Sequence, residues 1–154
     1  MVLNQELTDS IDAVRGIMAW IRGNSIVERI VASTVTDTTV LRSIDLLIDR
    51  EVPARPAPTY VDQVYETVRA LLQFRTVLID DVHPQLTEAV RRADAERAAV
   101  RMTLSAFEDN LDRLVDATAD LYVAVSRWVG LPAATDQIRA RFRELANPET
   151  WSAT

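Results

Sequence analysis

The sequence predicts an all-α protein: a helical bundle with one very long, coiled-coil-like helix at about residues 84–129 and short N- and C-terminal helices. Three observations lead there. Leu86, Val90, Ala93, Arg97, Val100, Leu104, Phe107, Leu111, Leu114, Thr118, Leu121, Val125 and Trp128 alternate by four and three, with only Arg97 and Thr118 out of character. No Gly or Pro interrupts residues 85–129. The earlier apolar residues also fall on helical spacing, and with only 3 Gly and 6 Pro the breakers between segments are easy to place.

Taken in order, Leu7, Ile11, Val14, Met18 and Ile21 form one face of a first helix, which Gly23 can end in a left-handed conformation. Ser25 and Glu28 then make a capping-box pattern for a short second helix. The β-branched run from Thr34 to Val40 predicts a turn at Thr36 and Asp37, before a third helix carrying Val40, Leu41, Ile44, Leu47 and Ile48. A strand across Ile30 to Val40 is the competing reading, on β propensity. Pro53, Pro56 and Pro58 favour a stiff, extended linker. Thr59 and Asp62 suit the start of a fourth helix, where Val61, Val64, Val68, Leu71, Leu78 and Val82 make the stripe, Tyr65, Leu72 and Ile79 widen it, and Arg75 interrupts it.

His83-Pro84 reads as a break, because proline disfavours helical geometry in the residue before it and suits the start of a new helix. The long helix follows, until Gly130-Leu131-Pro132 ends it. A last helix presents Ile138, Phe142 and Leu145, and Asn147-Pro148 stops it, leaving Trp151 in a polar tail. The domain reading is an N-terminal short-helix segment at 1–52, a Pro-rich linker at 53–58, a long-helix bundle at 59–147 and a tail at 148–154.

An unbroken helix from Pro84 to Val129 would be about 69 Å long at about 1.5 Å per residue, whereas a compact chain of this size is only around 40 Å across. Either the helix bends back near Asp94-Ala95-Glu96 or another chain covers its apolar seam. The steady phase of the repeat, and a bend region without Gly, Pro or Asn, favour the second. The expected interface is Val90, Arg97, Val100, Leu104, Phe107, Leu111, Leu114 and Leu121. Arg91, Arg92, Arg97 and Arg101 precede Glu108, Asp109, Asp112, Asp116 and Asp120 along this stretch, so antiparallel pairing would set unlike charges opposite one another.

Composition removes whole classes of chemistry. Cys is absent, so disulfides, thiolate metal sites and thiol nucleophiles are excluded, and the single His83 excludes motifs that need two imidazoles. All 17 basic residues are Arg, which removes a P-loop lysine and Schiff-base chemistry. The net charge of −6 disfavours phosphate backbones and anionic lipid. The amino terminus lacks a signal-peptide pattern, and no stretch has the apolar length of a bilayer span.

Three short patterns resemble known families. Val35-Thr36-Asp37-Thr38-Thr39-Val40-Leu41-Arg42, with Ile26 to Ser33 in front, resembles the turn and recognition-helix start of helix-turn-helix regulators, which implies DNA binding. It departs from the pattern in lacking the turn glycine, in placing Arg29 where an apolar residue belongs, and in setting Asp37 where phosphate would approach. Asp80-Asp81-Val82-His83 loosely resembles the Glu-x-x-His of ferritin-like di-iron bundles, which implies a metal site with further carboxylates such as Glu66. The plainer reading of both aspartates is as caps for the following helix. Trp128-Val129-Gly130 resembles the Trp-x-Gly turn of small secreted helical-hairpin proteins, but its place near the end of the sequence favours the plainer reading of a buried Trp followed by a helix C-cap. Arg75 and Arg97 either snorkel or pair with acids, or else bind an anionic ligand.

The functional expectation is a non-enzymatic structural or adaptor protein, cytoplasmic, without a cofactor. It works by helix-mediated homo-oligomerisation, with a second copy paired antiparallel, or by docking to another helical protein in a larger assembly. A helix-turn-helix regulator with a helical dimerisation region and a ferritin-like metal-binding bundle are the alternatives. Membranes and nucleic acid are not expected partners.

Overall fold

The computed structural model of the chain describes residues 2–93 and 97–145, with side chains from 5 to 93 and from 98 to 144. Helix α1, Val2–Gly23, buries Leu7, Ile11, Val14, Met18 and Ile21, the stripe its spacing predicts. Gly23 does not end it by a left-handed turn, since Gly130 alone among the described residues has a positive φ. Asn24 does so instead, in extended conformation (φ −97°, ψ 113°), and its side chain accepts a hydrogen bond from Val27 N–H to cap α2, Ser25–Thr34. Asn and Ser are equally good caps, and the cap lies one residue earlier than the Ser25/Glu28 pattern suggests.

The turn at Thr36 and Asp37 is present, and α2 excludes the competing strand through Thr34. Asp37 caps α3, Thr38–Ile48, by accepting from Thr39 N–H at 3.0 Å. Those bonds hold its carboxyl below the usual carboxylate range, the hydroxyl of Thr39 first and its amide second. Helix α4, Pro58–Val77, begins on Pro58 with Ala57 before it, not on Thr59. A first-turn proline has no amide to leave unpaired.

The very long helix expected at about 84–129 is not present, and the longest continuous helical stretch is a shorter rod from Pro58 to Arg92. At His83-Pro84 the backbone does not break: α4 passes through a π-helical turn, Leu78–Val82, directly into α5, His83–Arg92. In a regular helix the Pro84 ring would collide with the carbonyl four residues back. Here the ladder is widened, and His83 N–H donates to the Leu78 carbonyl five residues earlier, which accommodates the ring without ending the helix.

The chain leaves the helix at Ala93 (φ −74°, ψ 124°), and after Asp94-Ala95-Glu96, outside the described residues, α6 runs from Arg97 to Trp128. It returns antiparallel to α4 and α5: Tyr65 Oη meets Ser126 Oγ at 3.0 Å, and His83 Nε2 meets Glu108 at 3.3 Å. The single helix expected at about 84–129 is therefore two helices folded against each other. Leu86 of α5 and Phe107 of α6 share one buried cluster, with Leu104 packed against it, so the apolar repeat stays in phase across the reversal and periodicity cannot distinguish a rod from a hairpin.

Around this hairpin α1 packs on α6, α3 on α4 and α1, and α2 on α1, the π turn and α5. Residues on both sides of the Pro-rich 53–58 stretch join one buried cluster, from Leu7 to Val125. Gly130 (φ 81°) ends α6 as its sequence predicts. Leu131 N–H donates to the Ser126 carbonyl at 2.8 Å and Gly130 N–H to that of Arg127 at 3.0 Å, the paired bonds of a Schellman cap. Helix α7, Thr135–Leu145, then lies on α6, held by Arg139 to Asp120 at 2.7 and 2.8 Å and Arg143 to Asp116 at 3.0 and 3.2 Å. Ile138 and Phe142 are half-buried, whereas Asn147-Pro148, Trp151 and the Leu145 side chain lie outside the described residues.

Candidate docking groove

Folding α6 back on the rod buries most of the seam expected to meet a partner. Val100, Phe107, Leu111, Leu114 and Leu121 are covered by the chain's own helices, and Val90 and Leu104 are half-buried. The Arg97 side chain is not among those described. Several of the charges along the stretch are also engaged internally: Glu88 takes Arg91 and Arg92, Glu108 takes His83, and Asp116 and Asp120 take arginines of α7.

One open hollow lies between α2 and α5. Val27 and Val31 anchor α2 in the core, which leaves Ile26, Arg29 and Ile30 along its flank. Leu86 anchors α5, leaving Pro84, Gln85, Glu88, Ala89 and Arg92 on the flank that faces α2. These residues line a groove of about 580 Å³, with Ile26, Ile30, Pro84 and Ala89 as its apolar floor. Two features set its shape. The π turn puts one extra residue into the rod and so rotates every α5 side chain by about 100° relative to α4. Gln85 Nε2 then donates to Thr34 Oγ1 at 3.0 Å and to the Asp81 carbonyl at 2.7 Å, tying the end of α2 to the rod.

Arginine dominates the rim. Glu88 accepts from Arg91 at 2.7 Å and from Arg92 at 2.9 Å, and these bonds, that from Arg91 foremost, hold its carboxyl below the ordinary range. Across the groove Arg29 is exposed and forms no ion pair with any described residue. Among the lining residues one carboxylate thus faces two guanidiniums, Arg29 and Arg92, and that carboxylate also holds Arg91. Sequence reading overlooked this surface, although Ile26 and Ile30 stand off the Val27/Val31 stripe of α2 and are a local sign of a second apolar edge.

The remaining candidates are placed as follows. Asp80 and Asp81 are exposed in the π turn, and no group of three or more Asp, Glu or His among the described residues is arranged to hold a metal ion. Helices α2 and α3 pack chiefly on other helices and not on one another, and Thr38, Thr39 and Arg42 of α3 are exposed. Arg75 is only 3% exposed, and its Nε and Nη1 have no hydrogen-bond partner; burial pushes its pKa down. It neither snorkels to water nor pairs with an acid. The buried Tyr60 hydroxyl also has no partner, whereas Ser10, Thr67, Asn110 and Thr118 each donate to a carbonyl four residues earlier, and Ser126 bonds Tyr65.

No family model matches the chain, and no curated protein and no solved structure is similar to it. The fold itself defines an all-α bundle, and none of its described helices is long and apolar enough to cross a membrane.

Proposed function

We propose that the protein is a non-enzymatic docking module, an adaptor or structural piece of a larger assembly that receives a partner's helix between α2 and α5. The observation that carries this reading is the groove: a trough with an apolar floor, about 580 Å³ in volume and built from two helices tied together at one end. Such a trough suits the apolar stripe of an amphipathic helix. The large hydrophobics most exposed elsewhere, Leu46, Met102 and Leu131, lie far apart in the chain, and Leu46 lines a smaller hollow of about 430 Å³ whose Arg22 and Asp45 are already paired with each other. Most of the described seam of α6 is covered by the chain's own helices, so this reading takes the groove, and not that helix, as the docking surface.

A photo-crosslinking residue replacing Ala89, in protein made in its native cells, tests the reading. A discrete adduct is expected that is lost with Ile30→Asp and does not form from a probe at Asp109, on the exposed face of α6. Equal labelling from both positions, or none from either, retires the proposal.

A further inference from the structure

We infer that the helix this groove accepts is acidic on both flanks of its apolar stripe, an inference that rests on the docking reading above. The argument is charge complementarity across a defined trough. A helix lying on Ile26, Ile30, Pro84 and Ala89 brings its flanking side chains to both banks at once. On the α2 bank they meet Arg29, and on the α5 bank Arg92, with Arg91 beside it. The one carboxylate lining the trough, Glu88, already holds Arg91 and Arg92, both on Oε1, so its single negative charge is outweighed by the two guanidiniums beside it. The banks therefore keep a net positive charge on a chain whose overall charge is −6.

Carboxylates on the visiting helix would find planar guanidiniums able to bond them in pairs, whereas lysines would be repelled on both sides. The same features disfavour a nucleic acid backbone, which has no apolar stripe to lay on the isoleucines and would meet Glu88 between the arginines. They also distinguish this trough from the acidic stretch Glu108, Asp109 and Asp112 of α6, which has no apolar floor.

Two synthetic amphipathic helices with the same leucine stripe, one flanked by glutamates and the other by lysines, test the inference when titrated into the intact protein. Binding is followed by backbone-amide shifts and by sedimentation. The glutamate helix is expected to bind roughly ten-fold more tightly at low ionic strength, as a few rim charges of modest individual worth allow. The shifts should centre on Ile26, Ile30 and Ala89. Raising the salt should shrink the preference, and the Arg29→Glu/Arg92→Glu variant, whose changes are on exposed side chains, should abolish or invert it.

Equal binding of both helices, with both lost in Ile30→Asp, overturns the acidic partner and leaves the docking module standing. No shift at the groove with either helix overturns both. Protein that self-associates through the trough, and becomes monomeric in Ile30→Asp, assigns the site to a second copy and also overturns the acidic partner.

Discussion

The imidazole of His83 lies almost parallel to the ring of Phe107, with centroids 6.3 Å apart and planes at 29°, and its Nε2 reaches Glu108 at 3.3 Å. This meeting of α5 with α6 fixes the register of the hairpin. Its two halves differ in environment: Phe107 is 1% exposed, whereas the Glu108 side chain is 53% exposed. Phe107→Ala is expected to lower unfolding free energy by about 3–5 kcal/mol, and Glu108→Gln by less than about 1 kcal/mol. Urea denaturation of the two variants checks the order. Similar losses would mean that the ion pair, and not the ring, holds the two helices in register.

The π turn gives a second prediction. Pro84→Ala alone should change stability little, because the position is exposed and the helix is already continuous there. Deleting Asp80 in that background removes the extra residue and turns α5 by about 100°, which carries Leu86, fully buried in the native chain, out of the core. A loss of about 3 kcal/mol or more relative to Pro84→Ala is expected, read by thermal and urea melts, together with loss of peptide-induced shifts at Ala89.

Arg75 is a charge without compensation. Methionine fills similar space without an ion to desolvate, and replacing buried ionic groups by apolar ones of like volume ranges from neutral to stabilising by about 1–4 kcal/mol. Arg75→Met should therefore raise the melting temperature. A clear drop instead would reveal that the guanidinium has a stabilising partner in solution.

Asp112 supplies the pH dependence. Burial first, then the charges of Asp109, Asp116 and Glu108, raise its pKa, opposed by Arg143. A carboxyl whose folded pKa lies above its unfolded one destabilises the fold wherever both states are ionised. That penalty disappears as pH falls through the raised pKa towards the ordinary carboxylate value. Asp112→Asn should thus be more stable than the parent at neutral pH, with the difference fading in acid. A difference that is flat with pH would assign the effect to something other than ionisation.

Much of the fold is legible in the residues themselves. The stripe of α1, the cap at Asp37 and the end of α6 at Gly130 are local, set by a few side chains and backbone groups close in sequence. The reversal after Ala93 is not local. Leu86, Val90, Val100 and Leu104 hold one heptad phase whether the helix runs straight or doubles back, and only tertiary packing decides between the two. At Pro84 the rule that proline starts a new helix meets an alternative the pattern does not encode, a widened turn that absorbs the ring. The groove was harder still to see, because it belongs to neither α2 nor α5 alone. Ile26 and Ile30 mark one bank, but the other faces it only after the π turn has rotated the rod.

The pairing of α1 with α6 also governs how the molecule is made. Synthesis delivers α1 among the first segments, yet its packing surface is not complete until the stretch up to Trp128 has left the ribosome. Through that interval only α2 and α3 can cover α1, and the face it turns to α6 stays open, while the rod and its returning helix can close as a neighbouring pair. The contact of α1 with α6 is therefore one that only the nearly finished stretch from Val2 to Trp128 can close.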